Sequence, residues 1–235
     1  MRVNRKFYGM LAALVLYGLS AANANAIPIA GSSSASFNNP TGPGGMIVTG
    51  VGTSSFTWGD GSAFGSPPSA LNFSGTTFST NTETFFDIGA VTYFNGTIAA
   101  GTQANSVELQ LALIFTTPSG ISESFTYLLS LINTTNTGDP NASADIVQFP
   151  SVLPAQSFTT GGITYSVGLE VGVVTGSGFS SQTTFSVLES ASATATLRGI
   201  VTAEGVPQVI PEPATLALFG IGLVGLGLAR RRKTT

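Results

Sequence analysis

The sequence predicts an all-β protein built as an antiparallel β-sandwich, with a jelly roll or closed barrel as the alternative way to close the same strands. Three observations predict it. Apolar and polar residues alternate in run after run between residues 45 and 205. Gly, Pro, Asn and Asp interrupt those runs at short intervals, as turns require. No stretch between residues 27 and 210 shows a helical period, and helix formers are sparse there, with no lysine and few glutamates.

The elements follow in chain order. Residues 27–44 are rich in Ser, Ala, Asn, Pro and Gly and show little alternation. A flexible N-terminal extension, or an irregular first strand, is expected there, with the domain proper spanning 45–205. Phe56 and Trp58 alternate, and Asp60-Gly61 marks a turn. Leu71 and Phe73 alternate in the next run. Val91 and Tyr93 lead into Asn95-Gly96, a two-residue hairpin signal. Val107, Leu109, Leu111, Leu113 and Phe115 share one face, and Phe125, Tyr127, Leu129 and Leu131 repeat the scheme. Pro118 and Gly120 between them predict a hairpin. Gly161-Gly162 turns a second hairpin into Tyr165, Val167, Leu169, Val171 and Val173. One long last run alternates from Phe185 to Val201. Period two is the pattern of sheets that bury one face.

Charge is unevenly placed. Charged residues make up only 8% of the chain, against about 25% in an ordinary globular protein. Between Ile27 and Ile210 there is one basic residue, Arg198, and ten acids, so that stretch carries −9 although the whole chain carries −3. Such a surface repels phosphate, which excludes nucleic acid as a partner, and it repels an anionic membrane surface. There is no histidine and no cysteine. Ser-His-Asp triads, thiol nucleophiles and His/Cys zinc sites are therefore excluded.

The two ends carry the basic residues. Residues 1–26 read as a signal peptide: Arg2, Arg5 and Lys6, then an apolar stretch from Phe7 to Leu19, then Ala24-Asn25-Ala26 for cleavage, with Ala22-Asn23-Ala24 as the alternative site. Sec machinery and a signal peptidase are the expected partners. At the other end, residues 206–213 form a linker ending in Pro211-Glu212-Pro213. An apolar run follows over 214–229, and residues 230–235 include Arg230, Arg231, Arg232 and Lys233. As a helix, sixteen residues rise about 24 Å, a short span for a hydrocarbon core of about 30 Å. The basic cluster holds its side of the inner membrane, so the acidic stretch is expected on the far side. Gly220, Gly222 and Gly225 give G-x-G-x-x-G, but no strand and βαβ unit surround them, so no dinucleotide site is expected.

Val209-Ile210-Pro211-Glu212-Pro213-Ala214, the apolar run and the basic cluster resemble the PEP-CTERM sorting signal of Gram-negative, exopolysaccharide-producing bacteria. The resemblance implies recognition and cleavage near the Pro-Glu-Pro by an exosortase, with a cell-surface or extracellular destination. The sorting residues it implies are Pro211, Glu212, Pro213, Arg230, Arg231 and Arg232. A second resemblance rests on Phe56-Thr57-Trp58-Gly59, Ser69-Ala70-Leu71-Asn72-Phe73 and the stretch from Ile88 to Ile98, with Gly138-Asp139-Pro140 and Ala144-Asp145-Ile146-Val147. These are similar to the choice-of-anchor K domain, which implies an extracellular all-β module without assigned catalytic residues.

Carboxylate chemistry is what the composition leaves. Glu83 with Asp87, or Glu108 with Glu170, are candidate pairs for a glycoside hydrolase, beside the solvated-surface reading of the same acids. Asp139, Asn141, Ser143 and Asp145 place oxygens at every second residue, a spacing that suits Ca²⁺. The alternative is an Asx turn at Asp139-Pro140. Trp58 is either a sugar-stacking aromatic or a core residue. The expected function is a non-catalytic binding or structural module, associated with exopolysaccharide. An adhesin or ice-binding surface with a flat Thr array is one alternative, and a carboxylate glycoside hydrolase is the other.

Overall fold

A strand that buries every second residue needs a second layer to bury it against. The computed structural model describes residues 26–150 and 156–204. Among these it shows fourteen strands and one 3-10 turn, Ser62–Phe64. The strands are β1 (Pro28–Thr41), β2 (Val48–Thr49), β3 (Ser55–Trp58), β4 (Ser69–Gly75), β5 (Thr77–Asn81), β6 (Phe85–Asn95) and β7 (Ser106–Thr117). They continue with β8 (Ile121–Ile132), β9 (Asp145–Gln148), β10 (Gln156–Thr160), β11 (Ile163–Gly176), β12 (Gly178–Ser180), β13 (Thr184–Val187) and β14 (Ala191–Glu204). One sheet has the order β12-β13-β9-β8-β7-β1-β5, and the other β10-β11-β14-β6-β4-β3-β2. The pairings are antiparallel, and the two curled sheets form a sandwich.

The inward positions are those that the alternation marks. Val107, Leu109, Leu111 and Leu113 of β7 are fully buried, and β8 adds Phe125, Tyr127, Leu129 and Leu131. Opposite them lie Val167, Leu169 and Val171 of β11 and Ala193, Ala195, Leu197 and Val201 of β14. Aromatic rings bridge the layers in two groups. One runs Phe37–Phe56–Trp58–Tyr93–Phe185, with centroids 5.6–6.1 Å apart. The other joins Phe78, Phe86, Phe115, Phe125, Phe158 and Tyr165. Ring pairs at such spacings add to what burial alone contributes.

Three expectations are corrected. Residues 27–44 are not a flexible extension: most of them form β1, which lies between β5 and β7. Its small residues are what the packing demands. A Cβ at Gly31 would sit 2.2 Å from the Ile114 carbonyl oxygen, and the Ser33 hydroxyl donates to the Ile88 carbonyl of the other sheet. Only Ile29 and Phe37 fill the core from this strand as large side chains, so alternation is faint. The sandwich therefore begins near residue 28 rather than 45.

Asn95-Gly96 makes no hairpin. β6 and β7 belong to different sheets, and the chain crosses between them through residues 96–105. Gly96 is needed for closeness instead, because a Cβ there would meet the Pro67 carbonyl oxygen at 2.3 Å. The last alternating run is likewise two strands. β13 and β14 lie in opposite sheets, and the link between them carries Ser190 at φ 54°. Period two continues through such a crossover because both strands face the same core. The hairpins β7–β8 and β10–β11 form as the sequence predicts, the second with Gly161 and Gly162 both at positive φ.

Candidate functional site

The candidate carboxylate pairs are placed apart or occupied. Glu108 lies on β7 in one sheet and Glu170 on β11 in the other, each alternating with core residues and so turned to an outer face. They do not share a cleft. Glu108 accepts a hydrogen bond from Asn39 Nδ2 at 2.7 Å. Glu170 is bridged to Arg198 at 2.8 Å, and the guanidinium also lies 4.9 Å from the Phe85 ring centroid. Asp87 faces that same arginine across the β6–β14 register. Glu83 sits in the β5–β6 turn and accepts from the Ala203 N–H at 3.2 Å.

The loop before β9 uses its oxygens to hold itself. Asp139 Oδ1 accepts the Asn141 N–H at 2.9 Å, which is an Asx turn. The Ser143 hydroxyl donates to the Asp139 carbonyl at 2.9 Å and accepts the Thr137 N–H at 2.7 Å. Asp145 belongs to a different set: it is buried, and its Oδ1 accepts both the N–H and the hydroxyl of Thr134, at 2.7 and 3.1 Å. No group of three or more acidic side chains converges on a point among the described residues. Asp139→Ala is expected to lower stability by about 1 kcal/mol through the lost turn bond. The loss is expected to be the same in calcium and in chelator, and thermal melts in both media check it.

Trp58 takes its core alternative. It is 1% exposed and packs between Phe56 and Tyr93, so it offers no face to a sugar. Threonines gather on the outer face of the β10–β2 sheet, where Thr92 and Thr194, Thr49 and Thr57, and Thr159 and Thr164 pair off through their hydroxyls. Register shifts at Val171/Val174 and Leu197/Arg198 break that face, so it is not one flat array.

A polar group that the sequence reading missed sits at one end of the sandwich. Val91, Tyr93 and Asn95 all point inward from β6, so period two puts an amide on the buried face. That was the available signal, and the hairpin reading of Asn95-Gly96 hid it. Asn95 Nδ2 donates to the Val187 carbonyl at 3.0 Å, while its Oδ1 has no partner. Val187 is the register partner of Asp145. Two residues beyond Val187, Glu189 accepts the Thr97 hydroxyl. Burial pushes the Asp145 carboxyl up to about 6; the Glu189 charge adds to the rise and the Thr134 bonds oppose it. Burial, then the charges of Asp145 and Glu189, hold the Tyr93 phenol well above its usual value.

The expected sorting residues Pro211, Glu212, Pro213, Arg230, Arg231 and Arg232 lie outside the described residues, as do residues 1–25 of the segment expected to be a signal peptide and the apolar run 214–229. No helix among the described residues is long and apolar enough to cross a membrane. Comparison by sequence decides what that end is. Residues 209–233 match the PEP-CTERM protein-sorting motif. A PEP-CTERM motif implies recognition by an exosortase at the C-terminus and export with a cell-surface destination. No curated protein matches the chain.

Proposed function

We propose that the chain is an exosortase-sorted surface or extracellular-matrix protein whose sandwich is a non-catalytic module associated with exopolysaccharide. The match of residues 209–233 to the PEP-CTERM motif is the observation that supports it most. A choice-of-anchor K-like identity for the central region is part of the same proposal and fits it. So does the surface: Arg198, the one basic residue between 27 and 210, is already paired with Glu170. The outer face of the β12–β5 sheet is nearly uncharged along β1, β7 and β8, with Ser34, Ala112 and Ser124 in one row and Ser36, Gln110 and Thr126 in the next. Neutral hydroxyls and amides suit a neutral polymer, whereas a polyanion would meet a domain of charge −9.

Replacing Pro211, Glu212 and Pro213 together by alanine tests the sorting step. The parent is expected at the surface or in the medium at reduced mass, and the variant is expected to stay with the inner membrane at the higher mass. Identical mass and location for both would end the sorting reading. Retention of the parent on matrix polysaccharide from the same cells, compared with a matrix-deficient strain, tests the association.

A further inference from the structure

Two acids come from neighbouring segments at the end of the sandwich where β13 crosses to β14. Asp145 comes from β9 and Glu189 from the link, and the Glu189 charge is felt at Asp145. No base answers them. Arg198 is the one basic residue among the described residues, and it is bridged to Glu170 on an outer face. Buried charge is ordinarily paired or coordinated to a metal. A second observation is independent of the acids. Asn95 is fully buried, its nitrogen is held by the Val187 carbonyl, and its oxygen has no partner. The neighbours of that amide fix where it lies. Val187 pairs in register with Asp145, and Thr97, two residues beyond Asn95, holds Glu189. The unpaired acceptor thus belongs to a residue whose neighbours in the fold carry both acids, in a place short of positive charge.

We propose that this end of the sandwich binds a hard divalent cation, Ca²⁺ foremost, through the carboxylates of Asp145 and Glu189 and the carbonyl oxygen of Asn95. The Thr97 hydroxyl and waters complete the shell, since Ca²⁺ takes six to eight oxygens. Glu189 and Thr97 are half-buried and Ser190 is exposed, so the ion enters along that rim. Mg²⁺ fits less well, because it demands a near-ideal octahedron and gives up its waters reluctantly. Two carboxylates rather than three or four place the affinity at about 0.1–1 mM, in the range of extracellular calcium modules. The loop of Asp139, Asn141 and Ser143 has no part in this ligand set.

The test uses the full chain in mild detergent, at pH 7.5. Terbium is added and its emission is read on excitation of Trp58, which stacks on Tyr93 at 5.6 Å, the ring whose phenol senses both acids. Calcium is then titrated against it, and melting is followed with and without about 10 mM calcium, which is expected to raise Tm by roughly 3 °C. Glu189→Gln keeps the acceptor for Thr97 and is expected to weaken binding about tenfold, because ligand charge sets affinity. Asp139→Ala is expected to leave the terbium emission and the calcium-induced rise in Tm as in the parent, although its Tm is lower in both media. No terbium emission and no calcium shift would overturn the site, leaving protons alone to neutralise the acids. A shift that survives Glu189→Gln but vanishes in Asp139→Ala would overturn it in favour of the loop.

Discussion

Leu111→Ala is expected to destabilise the protein by roughly 3–5 kcal/mol. Leu111 sits in the middle of β7, fully buried, with Ala35 of β1 on one side and Phe125 of β8 on the other. Its neighbours cannot close the gap by moving alone. β7 is hydrogen-bonded along both edges, so the strand is held in register while the side chain shrinks. Both the lost transfer energy and the residual cavity therefore count. A domain of this size has about 5–15 kcal/mol in total, so the variant stands near the threshold of folding. In thermal melts the loss corresponds to a fall of about 10 °C. Ile114→Ala is the control: that residue is on the same strand, but 51% exposed on the outer face. Its expected cost is within about 0.5 kcal/mol. Equal losses at the two positions would mean that β7 does not face the core as described.

The contrast between those two residues is also where the sequence was most legible. Large apolar residues at every second position of β7, β8, β11 and β14 leave one consistent orientation, so strand existence, face and the two hairpins followed from period two. β1 was hidden for a physical reason. It passes between two strands so closely that Gly31, Ser33 and Ala35 leave no room for the large residues that make a strand conspicuous. Crossovers were hidden for another: Asn95-Gly96 and Leu188–Ser190 both interrupt or continue an alternation whose inward parity is the same in either sheet. Local chemistry thus marks that the chain turns, not which layer it enters. The candidate acids show the same limit. Glu108 and Glu170 look equivalent along the chain, and only pairing in three dimensions puts them on opposite sides of the molecule. The sorting tail, by contrast, is a linear signal, legible from residue order alone.

Asp145→Asn is expected to change the pH dependence of stability more than its value at any single pH. In the parent the buried carboxyl has its pKa raised to about 6, against about 3.9 in an unfolded chain. The native state then holds the proton more tightly than the unfolded one. The stability this contributes is fully present below about pH 4 and is lost as pH rises through about 6. Above that, the protein carries a buried charge at a cost on the order of 2 kcal/mol. Asparagine is neutral throughout, and its Oδ1 still accepts the Thr134 N–H and hydroxyl that hold the Asp145 carboxylate. In chelator, so that no cation offsets the charge, the variant is expected to match or fall below the parent at pH 4 and to exceed it at pH 8. Urea midpoints across that interval read the crossing directly. The other ten-odd ionisable groups titrate in both proteins, so their effect drops out of the difference between the two curves. A gap that widens with pH, the variant falling further below the parent, would show that Asp145 is stabilised as an anion in the folded protein. Parallel curves would show a carboxyl whose affinity for the proton folding leaves unchanged. Either would mean that burial is not what governs it.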